Sequence, residues 1–365
     1  MLVPGMKGEE KVRENTSRLV YFEDWMDTNA AHKVLEKADD IQVERLRYNN
    51  DRAYNDAAMA RAHGYQVQSR TELIEPWFPD SELLLRAPNL VAVSSTGAGY
   101  DYIDVKACTD AGIAVVNQTG TNKESVAEHA LGMMLAVSKK MIQADRRLRR
   151  ENNLDRMELT GSEMLGKTLG IVGLGQIGSR TAELCKLAFK MHVIAYDPYV
   201  SESDIKSRGA LKVDFETLIK ESDFISVHCP RTDETLGMFG ANQFSIMKND
   251  AVFVTTARGG IVHEEELAGA LERNEILGAG VDVFWKEPPG PDHCLMKLDN
   301  VLVTPHHAGI TQEANTNMSV GGAEQWIALF RGNQPPRLVN PEVWPKYQER
   351  FEKILGFRPV DLGKQ

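Results

Sequence analysis

The sequence predicts an α/β protein built from two doubly wound parallel-sheet domains, one inserted into the other. Three observations predict it. The chain has 365 residues, for which about two domains is the prior expectation. Short apolar runs alternate with helical patterns along most of the chain, the pattern of strand–helix repetition and a mostly parallel sheet. Near the middle, Gly173, Gly175 and Gly178 mark a glycine-rich turn between an apolar run and a helical pattern.

The elements follow in order. Residues 1–16 are polar and expected to be loose. Strands are predicted at 19–22, 41–46, 65–68, 90–93 and 113–117, with helices at 30–37, 57–62 and 81–85 between them. Residues 124–140 form a long helix that bridges into the central domain. Its face carries Val126, Ala127, Ala130, Met133, Met134 and Val137 at helical spacing. A second long helix at 312–330 returns the chain to the first domain, and 340–344 begins a C-terminal extension with a short helix at 345–355. The predicted division is a central domain of residues 125–307 inserted into a discontinuous domain of residues 1–124 and 308–365, with a cleft between them.

In the central domain, the run 167–172 reads as a buried parallel strand and 179–190 as a helix. The second strand, 191–196, ends at Asp197, nineteen residues past Gly178. This strand–turn–helix–strand–acid order is that of a Rossmann cofactor domain. The glycines serve a tight turn, close backbone approach to a pyrophosphate, and close helix–strand packing; free N–H groups at the helix start hold the anion, and Gln176 and Ile177 within the turn count among the cofactor residues. Four further strands, at 224–228, 251–255, 278–282 and 301–304, bring the expected total to six.

Asp197 selects the cofactor. A carboxylate there accepts hydrogen bonds from the ribose hydroxyls of NAD, whereas the 2′-phosphate of NADP brings like charge against it. Such charges at about 4 Å cost on the order of 4 kcal/mol each at an effective dielectric near 20, before solvent reduces the figure. No Arg directly follows Asp197 to receive a phosphate. NAD is the expected cofactor.

A net charge of −10 argues against nucleic acid or an anionic membrane as a main partner. The one basic run, 139–150, reads as the solvated face and end of a helix. Cys108, Cys185, Cys229 and Cys294 have no metal-ligand spacing and suggest a reducing compartment. The N-terminal residues lack the apolar core of a signal peptide, and no apolar run approaches membrane-spanning length. A cytoplasmic location is expected, with no membrane partner.

Three polar residues lie just beyond predicted strands of the central domain, where open α/β sheets bind ligands. Arg258 precedes Gly259 and Gly260, Glu287 precedes Pro288, and His306 follows Pro305. Singly, each has a plain structural explanation. Together their chemistry is complementary. A guanidinium holds a carboxylate through two parallel hydrogen bonds and polarises an adjacent carbonyl. An imidazole exchanges a hydroxyl proton near neutral pH, and a carboxylate orients it and favours its protonated form.

These motifs give the chain its resemblance to the NAD-dependent D-isomer-specific 2-hydroxyacid dehydrogenase family. The matching stretches are 173–178, 257–260, 280–284, Glu287 with Pro288, and 304–306, with 125–128 and 228–230 also fitting. The similarity runs from about residue 65 to 344. The resemblance implies a flavodoxin-like first domain and hydride transfer between NAD(H) and C2 of a D-2-hydroxy or 2-oxo acid. It implies Arg258 as substrate clamp, His306 as acid/base and Glu287 as its partner, with no metal required. Asp282 would accept from the nicotinamide carboxamide, and His228, Pro230, Thr256 and Ala257 would join the cofactor site. In the loop 95–101, N–H groups near Ala98 and Gly99 would bind the substrate carboxylate beside Tyr100 and Arg258. The family also implies a homodimer.

His307 departs from the family pattern, which has an apolar residue there. Adjacent residues of an extended segment face opposite sides, so His306, directly after Pro305, is the expected acid/base, and His307 is expected to be structural or to line the substrate pocket. Arg70 could reach an anionic substituent or be a surface residue. Glyoxylate, hydroxypyruvate, 3-phosphoglycerate and bulkier sugar-derived acids all remain open as substrates, and phosphite and formate dehydrogenases share the scaffold. An NAD-sensing protein resembling the dehydrogenase-like corepressors is the alternative from another class.

Overall fold

The computed structural model describes residues 16–70 and 72–363, so the loose segment expected at 1–16 lies almost wholly outside the described residues. The chain divides into two compact units, Met1–Thr121 with Asn315–Gln365, and Asn122–Ala314. The crossings thus fall after 121 and 314, rather than after 124 and 307. The reason is local packing. Ser125 donates its hydroxyl to the Ala308 carbonyl at 2.6 Å. A Cβ on Gly309 would lie 2.8 Å from the side chain of Asn122. Both crossing segments therefore stay with the central unit.

The first unit holds a five-stranded parallel sheet. Its strands are β1 (Ser17–Phe22), β2 (Ile41–Leu46), β3 (Gly64–Val67), β4 (Ala92–Ser95) and β5 (Ala114–Val116), in the order β2-β1-β3-β4-β5. β4 begins two residues later than 90–93 because Leu90 and Val91 are buried ahead of it, so burial alone does not mark its start. Trp326 of the helix Gln312–Phe330 packs on β3, where a Cβ on Gly64 would come within 2.4 Å of its ring. The C-terminal helix Trp344–Leu355 is no peripheral addition. Trp344, Tyr347, Phe351 and Leu355 fall on one face at spacings of three and four residues and join Leu19, Tyr21 and Trp326 in one core.

The central unit holds seven parallel strands, not six: β6 (Thr168–Val172), β7 (His192–Tyr196), β8 (Leu211–Lys212), β9 (Phe224–Val227), β10 (Val252–Thr255), β11 (Gly278–Val281) and β12 (Val301–Val303). The extra strand, β8, is two residues long at the sheet edge, too short to show a period. The order is β12-β11-β10-β9-β6-β7-β8, so the chain reverses direction across the sheet between β6 and β9. Ligands of such sheets bind at that switch point.

The helix Lys123–Ser138 packs on this sheet through missing side chains. A Cβ on Gly280 would lie 2.8 Å from Met133, and one on Gly278 would lie 2.7 Å from Val137. The helix stops short of 140, where Lys140 adopts a left-handed φ of 51°, and a second helix, Met141–Leu148, carries the basic run. Its arginines are spent on surface pairs, among them Arg147 with Glu151 at 2.8 Å and Arg149 with Asp145 at 2.9 Å. Among the described residues, no helix is long and apolar enough to cross a membrane.

Candidate active site

The glycine turn links β6 to the helix Gln176–Phe189. Gly173 has φ 88°, and a Cβ there would lie 2.6 Å from the backbone nitrogen of Cys229, so only glycine fits. A Cβ on Gly178 would lie 2.2 Å from the Gly173 carbonyl oxygen. Gly175 differs: a Cβ there meets nothing within 4 Å, and the helix begins at it without a side-chain cap. The turn therefore presents uncapped N–H groups beside open space, which fits a pyrophosphate.

Asp197, just past β7, is fixed at this turn. Its carboxylate accepts from the N–H of Leu174 and that of Tyr199, both at 3.0 Å. Sequence reasoning missed Arg208, whose guanidinium donates to the Leu174 carbonyl from a position 34 residues away. No local pattern marks so distant a partner. His228 was expected among the cofactor residues, yet its ring bonds Ser226 Oγ at 2.9 Å, and its N–H holds the Val172 carbonyl at 2.8 Å. The residue keeps some surface exposure, but its imidazole is enclosed enough that burial pushes its pKa down to about 3. Thr256, just past β10, has a buried hydroxyl with no hydrogen-bond partner among the described residues, a polar atom left for a ligand.

The loops after β10, β11 and β12 carry Arg258, Glu287 and His306. Gly259 lets the first two loops touch, since a Cβ there would lie 1.9 Å from the Phe284 carbonyl oxygen. Gly260, at φ 86°, lies against the Trp285 ring. The Glu287 carboxylate then accepts twice: from the Phe284 N–H at 3.0 Å and, through its other oxygen, from His306 Nδ1 at 2.7 Å. Burial works to raise the Glu287 pKa. The hydrogen bond and charge of His306, the Phe284 N–H and the charge of Arg258 outweigh it, and the pKa is lowered. Arg258 also donates to the Ala257 carbonyl at 2.6 Å. The three residues expected to act together are gathered.

His306 sits at a left-handed φ of 53°, sparsely populated for a residue with a Cβ. Asp282 holds it there. The N–H groups of His306, His307 and Ala308 donate in turn to the Asp282 carbonyl at 2.7 Å, Oδ1 at 3.0 Å and Oδ2 at 3.0 Å. Thr304 adds its hydroxyl to Oδ1 at 2.5 Å. Asp282 is wholly buried, and most of its accepting capacity is spent on the loop that carries His306.

Residues 131–308 match the family model described as D-isomer specific 2-hydroxyacid dehydrogenase, NAD binding domain. The chain is 41% identical over 267 residues to the glyoxylate reductase of Korarchaeum cryptofilum, covering 72% of this chain and 80% of that one. This chain belongs to the D-isomer specific 2-hydroxyacid dehydrogenase family. It is also 44% identical over 292 residues to the D-3-phosphoglycerate dehydrogenase of Archaeoglobus fulgidus, covering 80% of this chain but 53% of that longer protein. Among solved structures, the D-lactate dehydrogenase of Aquifex aeolicus complexed with NAD and lactic acid is similar, with a TM-score of 0.74 and 29% identity over 88% of this chain and 98% of that one. The central unit thus corresponds to the family's NAD-binding domain, and the turn and Asp197 fit that cofactor.

Two further features of the chain bear on the site residues expected from the sequence. In the first unit, the loop after β4 has its carbonyls occupied. Ala98 accepts from Asn117 Nδ2 at 2.8 Å and Gly99 accepts from Ser95 Oγ, while neither N–H finds an acceptor among the described residues. Tyr100 is 38% exposed beside them. Arg70 pairs with Asp101 at 3.2 Å on the surface of that unit. In the central unit, His307 turns to Asp282 and stacks edge-on with His129, ring centroids 5.0 Å apart. Burial lowers the pKa of His129, outweighing the attraction of Asp282.

Proposed function

We propose that this chain is an NAD-dependent oxidoreductase acting on C2 of a small D-2-hydroxy acid or the corresponding 2-oxo acid. The observation that carries the reading is the Glu287–His306 couple, 2.7 Å between oxygen and nitrogen, with the Arg258 charge acting on the same carboxylate. NAD, when bound, supplies the hydride acceptor or donor. Gly173, Gly175, Gln176, Ile177 and Gly178 would hold its pyrophosphate and Asp197 its ribose hydroxyls. Thr256, Ala257, Pro230 and the remaining acceptor site of Asp282 would serve the nicotinamide side.

The chain's own residues then divide the work. Arg258 holds the substrate carboxylate through its fork of donors and polarises the C2 oxygen. In the first unit, the N–H groups of Ala98 and Gly99, which have no acceptor among the described residues, would serve as donors to a substrate carboxylate, with Tyr100 beside them. Because the Glu287 carboxylate only accepts, His306 Nδ1 carries a proton and Nε2 is the working nitrogen. It takes the C2 hydroxyl proton in oxidation and returns it to the 2-oxo oxygen in reduction, while Arg258 stabilises the charge that develops there. Arg70 is engaged by Asp101, which favours a small acid over a phosphorylated one.

We further propose a homodimer, supported by the exposed apolar side chains Met141, Leu148, Met157 and Leu165, which lie in the chain between the helix Lys123–Ser138 and β6. Sedimentation equilibrium at twice the mass of one chain supports it, and a monomer rejects it. Four free thiols support a reducing compartment such as the cytoplasm. The deciding experiment for the activity is NADH turnover with glyoxylate, hydroxypyruvate, pyruvate and a phosphorylated 2-oxo acid, repeated in Arg258→Ala and His306→Ala. At least one acid should be reduced, with rates falling about 100-fold or more in both variants. Wild-type rates in both variants reject the site, and NADH binding without turnover favours a sensor.

A further inference from the structure

The proposed reaction uses neither His129 nor His307, yet the two share a carboxylate. His129 Nε2 lies 3.9 Å from Asp282 Oδ1, and His307 Nδ1 lies 3.6 Å from the same oxygen. All three ligand-type atoms fall within 4.8 Å of one another. They come from three elements: the helix Lys123–Ser138, the end of β11 and the loop after β12.

We propose that His129, Asp282 and His307 form a binding site for a divalent transition metal ion of the zinc type. Two imidazole nitrogens and one carboxylate oxygen are a donor set that suits zinc and cobalt and is poor for calcium or magnesium. Bonds of about 2.0–2.2 Å in tetrahedral geometry set ligand atoms roughly 3.3–3.5 Å apart. The two histidine–carboxylate separations, 3.6 and 3.9 Å, need a closure of a few tenths of an ångström, and the two imidazoles, with all three atoms within 4.8 Å, close the rest as His307 turns inward. Burial grades across the site, with side-chain exposures of 1% for Asp282, 21% for His129 and 45% for His307. The exposed histidine can swing inward, and its side provides the entry path and an open fourth position for water.

The surroundings already hold the fixed ligand. The His307 and Ala308 N–H groups orient the Asp282 carboxylate, as outer-shell donors do in metal sites. The Thr304 hydroxyl spans His129 Nε2 at 3.2 Å and Asp282 Oδ1 at 2.5 Å. An ion would replace the His129–Thr304 contact and leave the Thr304–Asp282 bond in place. The third ligand, His307, is the most exposed of the three and takes no part in the proposed reaction. Resting on the proposed function, one consequence follows: the ion draws on the carboxylate that frames the loop next to His306, and zinc inhibits turnover.

The test is direct binding to the full chain without cofactor or substrate. Zn²⁺ is titrated by calorimetry, and Co²⁺ by the visible absorption of a four-coordinate ion. One ion per chain is expected, with affinity falling about 100-fold or more in His307→Leu and in His129→Gln, each verified as folded by its thermal melt. Absence of saturable binding, or wild-type affinity in folded His307→Leu, overturns the proposal. Since binding is read without turnover, its failure leaves the dehydrogenase reading untouched, and a chain that binds zinc but reduces no acid fails only the latter.

Discussion

Glu287 Oε2 accepts from His306 Nδ1 at 2.7 Å while the other oxygen of the same carboxylate accepts the Phe284 N–H at 3.0 Å. One carboxylate thus ties the loop after β11 to the loop after β12. It also fixes which imidazole nitrogen faces outward, because an ionised carboxylate can only accept. The acid/base assignment rests on this relationship more than on the presence of a histidine.

Replacing Glu287 by Gln tests that relationship. The amide can still bond Nδ1 through its oxygen, but it no longer offsets charge on the imidazole. We expect kcat to fall about 10- to 100-fold with a smaller change in KM, since a proton-transfer step and not ground-state binding is weakened. Steady-state kinetics with the preferred 2-oxo acid check it. A fall in kcat/KM carried wholly by KM contradicts it. Stability supplies a second reading. The Glu287 pKa is lowered in the folded chain, so its contribution is complete above the ordinary Glu range and is lost as pH falls through the lowered value. The stability gap between wild type and Glu287→Gln should therefore narrow on acidification below about pH 4.3.

The glycine turn predicts two different failures from similar substitutions. A Cβ on Gly175 meets open space, whereas one on Gly178 would lie 2.2 Å from the Gly173 carbonyl oxygen. Gly175→Ala should melt like wild type but weaken NADH binding about tenfold or more, because the methyl enters the space of the pyrophosphate. Gly178→Ala should lose about 1–3 kcal/mol of stability as well. Fluorescence titration and urea denaturation separate the two. Equal melting losses would contradict the assignment of distinct jobs.

Much of this was legible from residue patterns, and what was missed has physical causes. Strands buried on both faces leave continuous apolar runs, so most of the strands were placed to within two residues. Arg258, Glu287 and His306 were readable because each follows a strand end. β8 was not, since two residues at an edge carry no period. Asp282 was taken for a carboxamide acceptor; that it holds three successive N–H groups depends on the loop's folded path. Arg208 reaches Leu174 across 34 residues, and the packing roles of Gly259, Gly278 and Gly280 depend on neighbours remote in sequence. Patterns report local faces; they do not report which loops meet.

Asp282→Asn should uncouple folding from catalysis only partly. The amide presents one acceptor and one donor where the carboxylate met two N–H groups and the Thr304 hydroxyl. One buried donor then faces another, which costs on the order of 1–3 kcal/mol. His306 at φ 53° also loses part of the frame that keeps it there. We expect a lower melting temperature together with a drop in kcat of about tenfold or more. Differential scanning calorimetry and kinetics on one preparation check both. Full activity in a destabilised variant would remove Asp282 from the positioning of His306.

His228 predicts an acid-sensitive stability that does not involve the reaction. Burial pushes its pKa down to about 3, against about 6.5 in an unfolded chain. Between those values the unfolded state binds the extra proton. Folding stability from this group is therefore complete above about pH 6.5 and falls as pH drops toward about 3, at up to about 1.4 kcal/mol per pH unit. Gln at this position can keep a bond to Ser226 but cannot titrate. Urea denaturation of wild type and His228→Gln at intervals from pH 7 to pH 4 should give a shallower pH slope in the variant, by nearly one proton in that window. Parallel slopes would mean that the imidazole is solvated in the native chain, and the enclosure inferred for it would be wrong.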